Sequence, residues 1–89
     1  MNAVIAVVGK DKVGILASVS EICRINNANI VDVSQTVLKD YFAMIMVVSI
    51  DKLVCDFEEF VDSFDSIKKE KRLEIYIMHE DIFNAMHKI

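Results

Sequence analysis

Two segments of this 89-residue chain, 2–8 and 41–50, are apolar on both alternating sets of positions, and that pattern constrains the fold more than any other feature. In the first, Ala3, Ile5 and Val7 oppose Val4, Ala6 and Val8. In the second, Phe42, Met44, Met46, Val48 and Ile50 oppose Ala43, Ile45 and Val47. A strand with one wet face alternates apolar with polar residues, and a strand covered on both faces does not. Both segments therefore read as interior strands of a sheet. Asn29 to Lys39 differs, because Val31, Val33 and Val37 oppose Asp32, Ser34 and Thr36, as in an edge strand. Lys39-Asp40 is short enough for a hairpin turn, although the usual Asp-Gly pair is missing. Leu73, Ile75 and Ile77 alternate with Glu74, Tyr76 and Met78 in a last strand.

Between these strands the period changes. Ile15, Leu16, Val19, Ile22 and Cys23 fall at helical spacing, and the helix should end near Asn26-Asn27, since Asn tolerates the left-handed conformation of helix ends. Asp56 reads as the N-cap of a second helix, with Glu59 completing a capping box and Phe57, Phe60, Val61, Phe64 and Ile67 forming its apolar stripe. Ile82, Phe83, Met86 and Ile89 mark a short amphipathic helix at about 80–88. The order β-α-β-β-α-β predicts a single α+β domain over 1–89. It has the ferredoxin-like arrangement, with an antiparallel four-stranded sheet and right-handed crossovers that put two helices on one face. The other face is apolar as well, so a second copy, the C-terminal helix, or both must cover it.

Composition removes several function classes. Hydrophobic residues make up 54% of the chain, which is too apolar for disorder. No apolar run approaches the ~20 residues that span a bilayer. The N-terminus lacks the basic region and cleavage site of a secretory signal, so a cytoplasmic location is expected, with no membrane partner. A net charge of −4 and a first strand without stacking aromatics argue against nucleic acid. The basic cluster Lys68, Lys69, Lys71 and Arg72 reads as a solvated helix end that complements the helix dipole. Cys23 reads as a core residue and Cys55 as a semi-exposed thiol, unpaired in a reducing compartment. His79-Glu80-x-x-Phe83 lacks the second His of a helical zinc-protease signature, and no nucleophile–base arrangement can be drawn. No catalytic residue, metal or cofactor is expected.

The loop Gly9-Lys10-Asp11-Lys12-Val13-Gly14 leads from the first strand into the helix that starts at Ile15. The free N–H groups and positive dipole end of that helix favour an anion there, and Asp11 adds an acceptor beside it. From the turn alone, the favoured reading is that Gly9 and Gly14 only shape a tight strand-to-helix corner, with Asp11 a solvated turn residue.

The strand ending in Gly9-Lys10-Asp11-Lys12-Val13-Gly14-Ile15-Leu16, followed by a helix and then Asn27-Ala28-Asn29-Ile30, resembles an ACT domain. His79-Glu80-Asp81-Ile82-Phe83 resembles the usual ending of the free-standing, single-domain ACT proteins of bacteria and archaea, a family of unassigned function. The resemblance uses the whole chain and leaves no catalytic domain over. It implies a regulatory homodimer that binds an amino acid at its interface, between the first strand–helix loop and the start of the second strand, and acts on a separate enzyme or regulator. By position, Gly14 matches the turn glycine, Asp11 a polar loop residue that contacts ligand, and Asn29 a contacting amide. Gly9 departs from the polar residue of some serine-binding members. A ligand carboxylate would then take N–H groups around Val13, Gly14 and Ile15, and its ammonium would meet Asp11 and the Asn29 amide oxygen. The alternative is a protein-interaction module with no small ligand, in which the apolar sheet face and last helix serve assembly.

Overall fold

The computed structural model describes residues 1–10 and 14–86. In chain order they form β1 (Asn2–Gly9), α1 (Ile15–Ile25), β2 (Asn29–Leu38), β3 (Tyr41–Ser49), α2 (Phe57–Asp62), α3 (Asp65–Lys71), β4 (Glu74–His79) and α4 (Glu80–Met86). The sheet order is β2-β3-β1-β4 and every neighbouring pair is antiparallel. This is the ferredoxin-like α+β arrangement. The two strands that are apolar on both sides occupy the centre, and the mixed strand lies at an edge. Asp11 and Val13, and Ile89 of the expected last helical stripe, lie outside the described residues.

One sheet face and the helices share the core. Ala3, Ile5 and Val7 of β1 and Phe42, Met44, Met46 and Val48 of β3 are at most 4% exposed. They belong to one apolar cluster with Ile15, Val19 and Cys23 of α1 and with Phe60, Phe64 and Ile67. Phe60 and Phe64 meet edge-to-face with centroids 5.3 Å apart, a geometry that adds to plain burial.

The second helix is broken where the sequence predicts one continuous stripe. Asp56 caps α2 as expected, its carboxylate accepting the Glu59 N–H at 2.8 Å. At Ser63 the hydroxyl donates to the Phe60 carbonyl and competes for the helical ladder, while the Phe64 N–H bonds the Val61 carbonyl in a tightened turn. The helix resumes as α3, and Phe60, Phe64 and Ile67 all stay buried. β2 also departs from simple alternation. Ile30 pairs with Val48 and Asp32 with Val47, so Val31 is the extra residue of a β-bulge, and Ile30, not Val31, shares a face with Val33. The hairpin after it is the expected two-residue turn, with Lys39 at φ 55.

Among the described residues, the sheet face away from the core is covered at one end only. α4 contacts β1 and β4, the Asn2 amide donates to Glu80 Oε1 at 3.4 Å, and Val4 on that face is 1% exposed. Towards the other end of the sheet Val8, Tyr41, Ile45 and Tyr76 remain exposed.

Candidate functional site

Gly14 is the N-cap of α1 and adopts φ 75, ψ 2, the left-handed region that glycine enters at no steric cost. Among the described residues no side chain caps this end, and the first turn carries no acidic residue, so its dipole end meets no compensating charge from α1 itself. The first helical bond runs from the Ser18 N–H to the Gly14 carbonyl at 2.9 Å. Ile15 is fully buried, so only its backbone is available to a ligand. Gly9 serves packing. It pairs with Phe42 at the end of β1, and a Cβ placed on it would overlap Leu73 Cδ2. That close approach holds the α3–β4 turn against β1, and it accounts for a glycine where a polar residue stands in some ACT members.

Asn29 starts β2 and is exposed, paired across the ladder with Ser49. It stands between two hollows. One, of about 320 Å³, is lined by Ser20, Arg24, Asn27, Ala28, Asn29 and Ile30. The other, of about 410 Å³, is lined by Asn27, Asn29, Ser49, Asp51 and Lys52. On its rim the Asp51 carboxyl is held below the usual carboxylate range by the Met1 ammonium bonded to it. Asn26 and Asn27 brace this end. Asn27 at φ 62 completes a Schellman turn, with the Ala28 N–H on the Cys23 carbonyl at 2.8 Å and the Asn27 N–H on the Arg24 carbonyl at 3.1 Å. The Asn26 amide donates to the Ile22 carbonyl at 2.8 Å and to Ser63 Oγ at 3.3 Å, and its oxygen accepts from Cys55 Sγ at 3.2 Å. The Asn27 amide donates to the Lys52 carbonyl at 2.8 Å. The sequence signal for this brace was the paired Asn at the helix end, which read only as a stop.

Within one protomer the described site residues, Gly14, Ile15 and Asn29, are not all brought together. Gly14 and Ile15 stand at one end of α1 and Asn29 follows the other end, and a helix of this length separates them by about 16 Å. An amino acid cannot bridge that distance inside one chain. Among the described residues no three His, Cys, Asp or Glu side chains converge as metal ligands do, and no helix is long and apolar enough to cross a membrane.

A model of the ACT domain family matches residues 2–74. The chain belongs to that family. A UPF0237 protein of Clostridium perfringens is 48% identical to this ACT domain over 89 residues, the full length of both. Among solved structures, an ACT domain protein from Streptococcus pneumoniae matches with a TM-score of 0.80 and 44% identity over 98% of each chain. The regulatory subunit of aspartate kinase from Thermus thermophilus shares the fold at a TM-score of 0.66 and 20% identity, covering 85% of this chain and 49% of that one. ACT domains are commonly regulatory, ligand-binding modules.

Proposed function

We propose that this ACT domain is a non-catalytic, homodimeric sensor of an amino acid, acting in the cytoplasm, with the ligand held between protomers. The observation that carries the reading is the free edge of β2. It is ten residues long, and Val31, Val37 and Leu38 are each more than half exposed along it. An edge with a row of unpaired N–H and C=O groups and apolar side chains is a template for another strand. A second copy pairing antiparallel about a two-fold axis covers that edge. The same operation sets the Gly14 end of one protomer beside the Asn29 end of the other. The amides of Gly14 and Ile15 then face Asn29 of the partner subunit, with Asp11 and Val13 adjoining them in sequence, and the separation within one chain becomes a reason for dimerisation.

Such a ligand favours one relative orientation of the protomers, and by linkage it shifts affinity for a third protein. The shift cannot exceed the ligand's differential affinity for the two orientations. Titration of the isotope-labelled protein with the standard amino acids tests this. Amides of Gly14, Ile15 and Asn29 should move together with one of them, and Gly14→Val should abolish the response while light scattering still reports a dimer. A dimer whose amides ignore every amino acid at millimolar concentration is instead an assembly module, the reading its exposed apolar sheet face favours.

A further inference from the structure

A hollow of about 740 Å³ opens where the end of β1, the start of β3 and the turn from α3 into β4 meet. Its described lining includes none of Gly14, Ile15 and Asn29 of the site proposed above, although Lys71 in its wall reaches the Gly14 end. Its walls carry Lys10, Lys71 and Arg72 against Glu70 and Glu74, in a protein whose net charge is −4. Cations converge here against the overall trend of the molecule. Of the two carboxylates, Glu74 is engaged, accepting from the Tyr76 hydroxyl at 3.3 Å. Ion pairs among the described residues join Met1 to Asp51, Arg24 to Glu21 and Lys68 to Asp65, and take in none of these three cations.

Neighbouring lysines on α3 show the contrast. Lys68, half-buried like Lys71, reaches back to Asp65 at 3.8 Å. Lys71 is half-buried and turns the other way, its Nζ standing 3.6 Å from where a Cβ on Gly14 would sit. An ammonium beside the positive end of α1 is repelled, and an anion between them removes that repulsion. Lys68, Lys69 and Lys71 do stand in the last turn of α3, as the sequence reading expected. On the opposite wall Lys10 lies over the Tyr41 ring, 5.8 Å from its centroid, and Tyr41 and Val8, 51% and 42% exposed, offer an apolar floor. Polar anchors around an apolar floor are how small-molecule sites are built.

We infer that this cleft binds an organic anion, its carboxylate or phosphate held by Lys71, Arg72 and Lys10 and its ring or short apolar body laid on Tyr41 and Val8. Charge-assisted hydrogen bonds hold the acid group, and the floor discriminates in favour of anions that carry apolar surface.

The test titrates the isotope-labelled full chain with phenyl phosphate, phenylacetate, inorganic phosphate and neutral phenylacetamide. Saturable shifts at the Gly9, Lys10, Arg72 and Leu73 amides are expected with at least one ring-bearing anion, weakening as salt is raised. A response to phenyl phosphate alone assigns a phosphate ligand, and a response to phenylacetate shows that a carboxylate suffices. Lys71→Gln combined with Arg72→Gln should weaken binding about tenfold or more. Lys10→Gln alone should weaken it less, and it serves as the variant if the double one does not fold. The inference is overturned if no ring-bearing anion gives saturable shifts up to about 10 mM. Equal shifts from phenylacetamide, undiminished shifts in the variants, or inorganic phosphate matching phenyl phosphate overturn it as well. The amino-acid reading is tested at Asn29 in the same spectra, since Gly14 lies beside Lys71 and answers to both sites, so either can fail while the other stands.

Discussion

The two ends of α1 are finished in opposite ways. At its C-terminal end the chain satisfies itself. Asn27 closes a Schellman turn, Asn26 ties α1 to Ser63 and Cys55, and the Val54 N–H donates to the Asn26 carbonyl at 3.1 Å. At its N-terminal end Gly14 supplies only a backbone conformation, with no side-chain cap among the described residues, no acid in the first turn and an ammonium close by. The contrast is between an end where polar side chains serve the fold's own structure and one where the described residues supply no such partner.

The largest expected effect tests whether openness at the Gly14 end extends into β1. Gly9→Val forces a branched side chain onto buried Leu73 and should cost about 2–3 kcal/mol in urea unfolding. A cost near zero would mean that Leu73 repacks freely and that β1 is loose there too. Next, Asn26→Ala should cost about 2 kcal/mol, because it removes bonds to Ile22, Ser63 and Cys55 at once. Gly14→Ala should cost about 1 kcal/mol, from the left-handed backbone alone. If the order of these two is inverted, the braced end is not the one described here.

A smaller effect sharpens the account of the brace. Asn27→Ala should lose about 1 kcal/mol in the same unfolding experiment, and Asn27→Gly should recover most of it, since φ 62 is the cause. The smallest effect at neutral pH concerns the thiols. Burial raises the Cys23 pKa from 9.0 to about 11, so the folded state favours its neutral form. That contribution is complete below pH 9.0 and is lost as pH rises towards about 11, so stability should decline across that window. Cys55, also raised, by burial and then by Glu59 and Asp56, should react with a disulfide reagent more slowly than a free thiol. Cys23 should react only on unfolding, and early labelling there would show that α1 opens locally.

Much of the fold was legible because local periodicity carries it. Residues 2–8 and 41–50 could only be central strands, and Asp56 and the Asn26-Asn27 pair behave as cap chemistry requires. The break at Ser63 was not legible, because a hydroxyl that bonds the Phe60 carbonyl looks in sequence like any exposed helical serine. The bulge at Val31 was hidden because valine on either face keeps the alternation plausible.

What the chain's own letters determined was every element whose cause lies within a few residues: which faces are apolar, where helices begin and stop, and which strand lies at the edge. Only the tertiary structure decided that Lys10, Lys71 and Arg72 gather around one hollow. That relation joins segments far apart in sequence across a sheet whose strand order is not the chain order. Spacing along the chain holds no record of distance across a sheet.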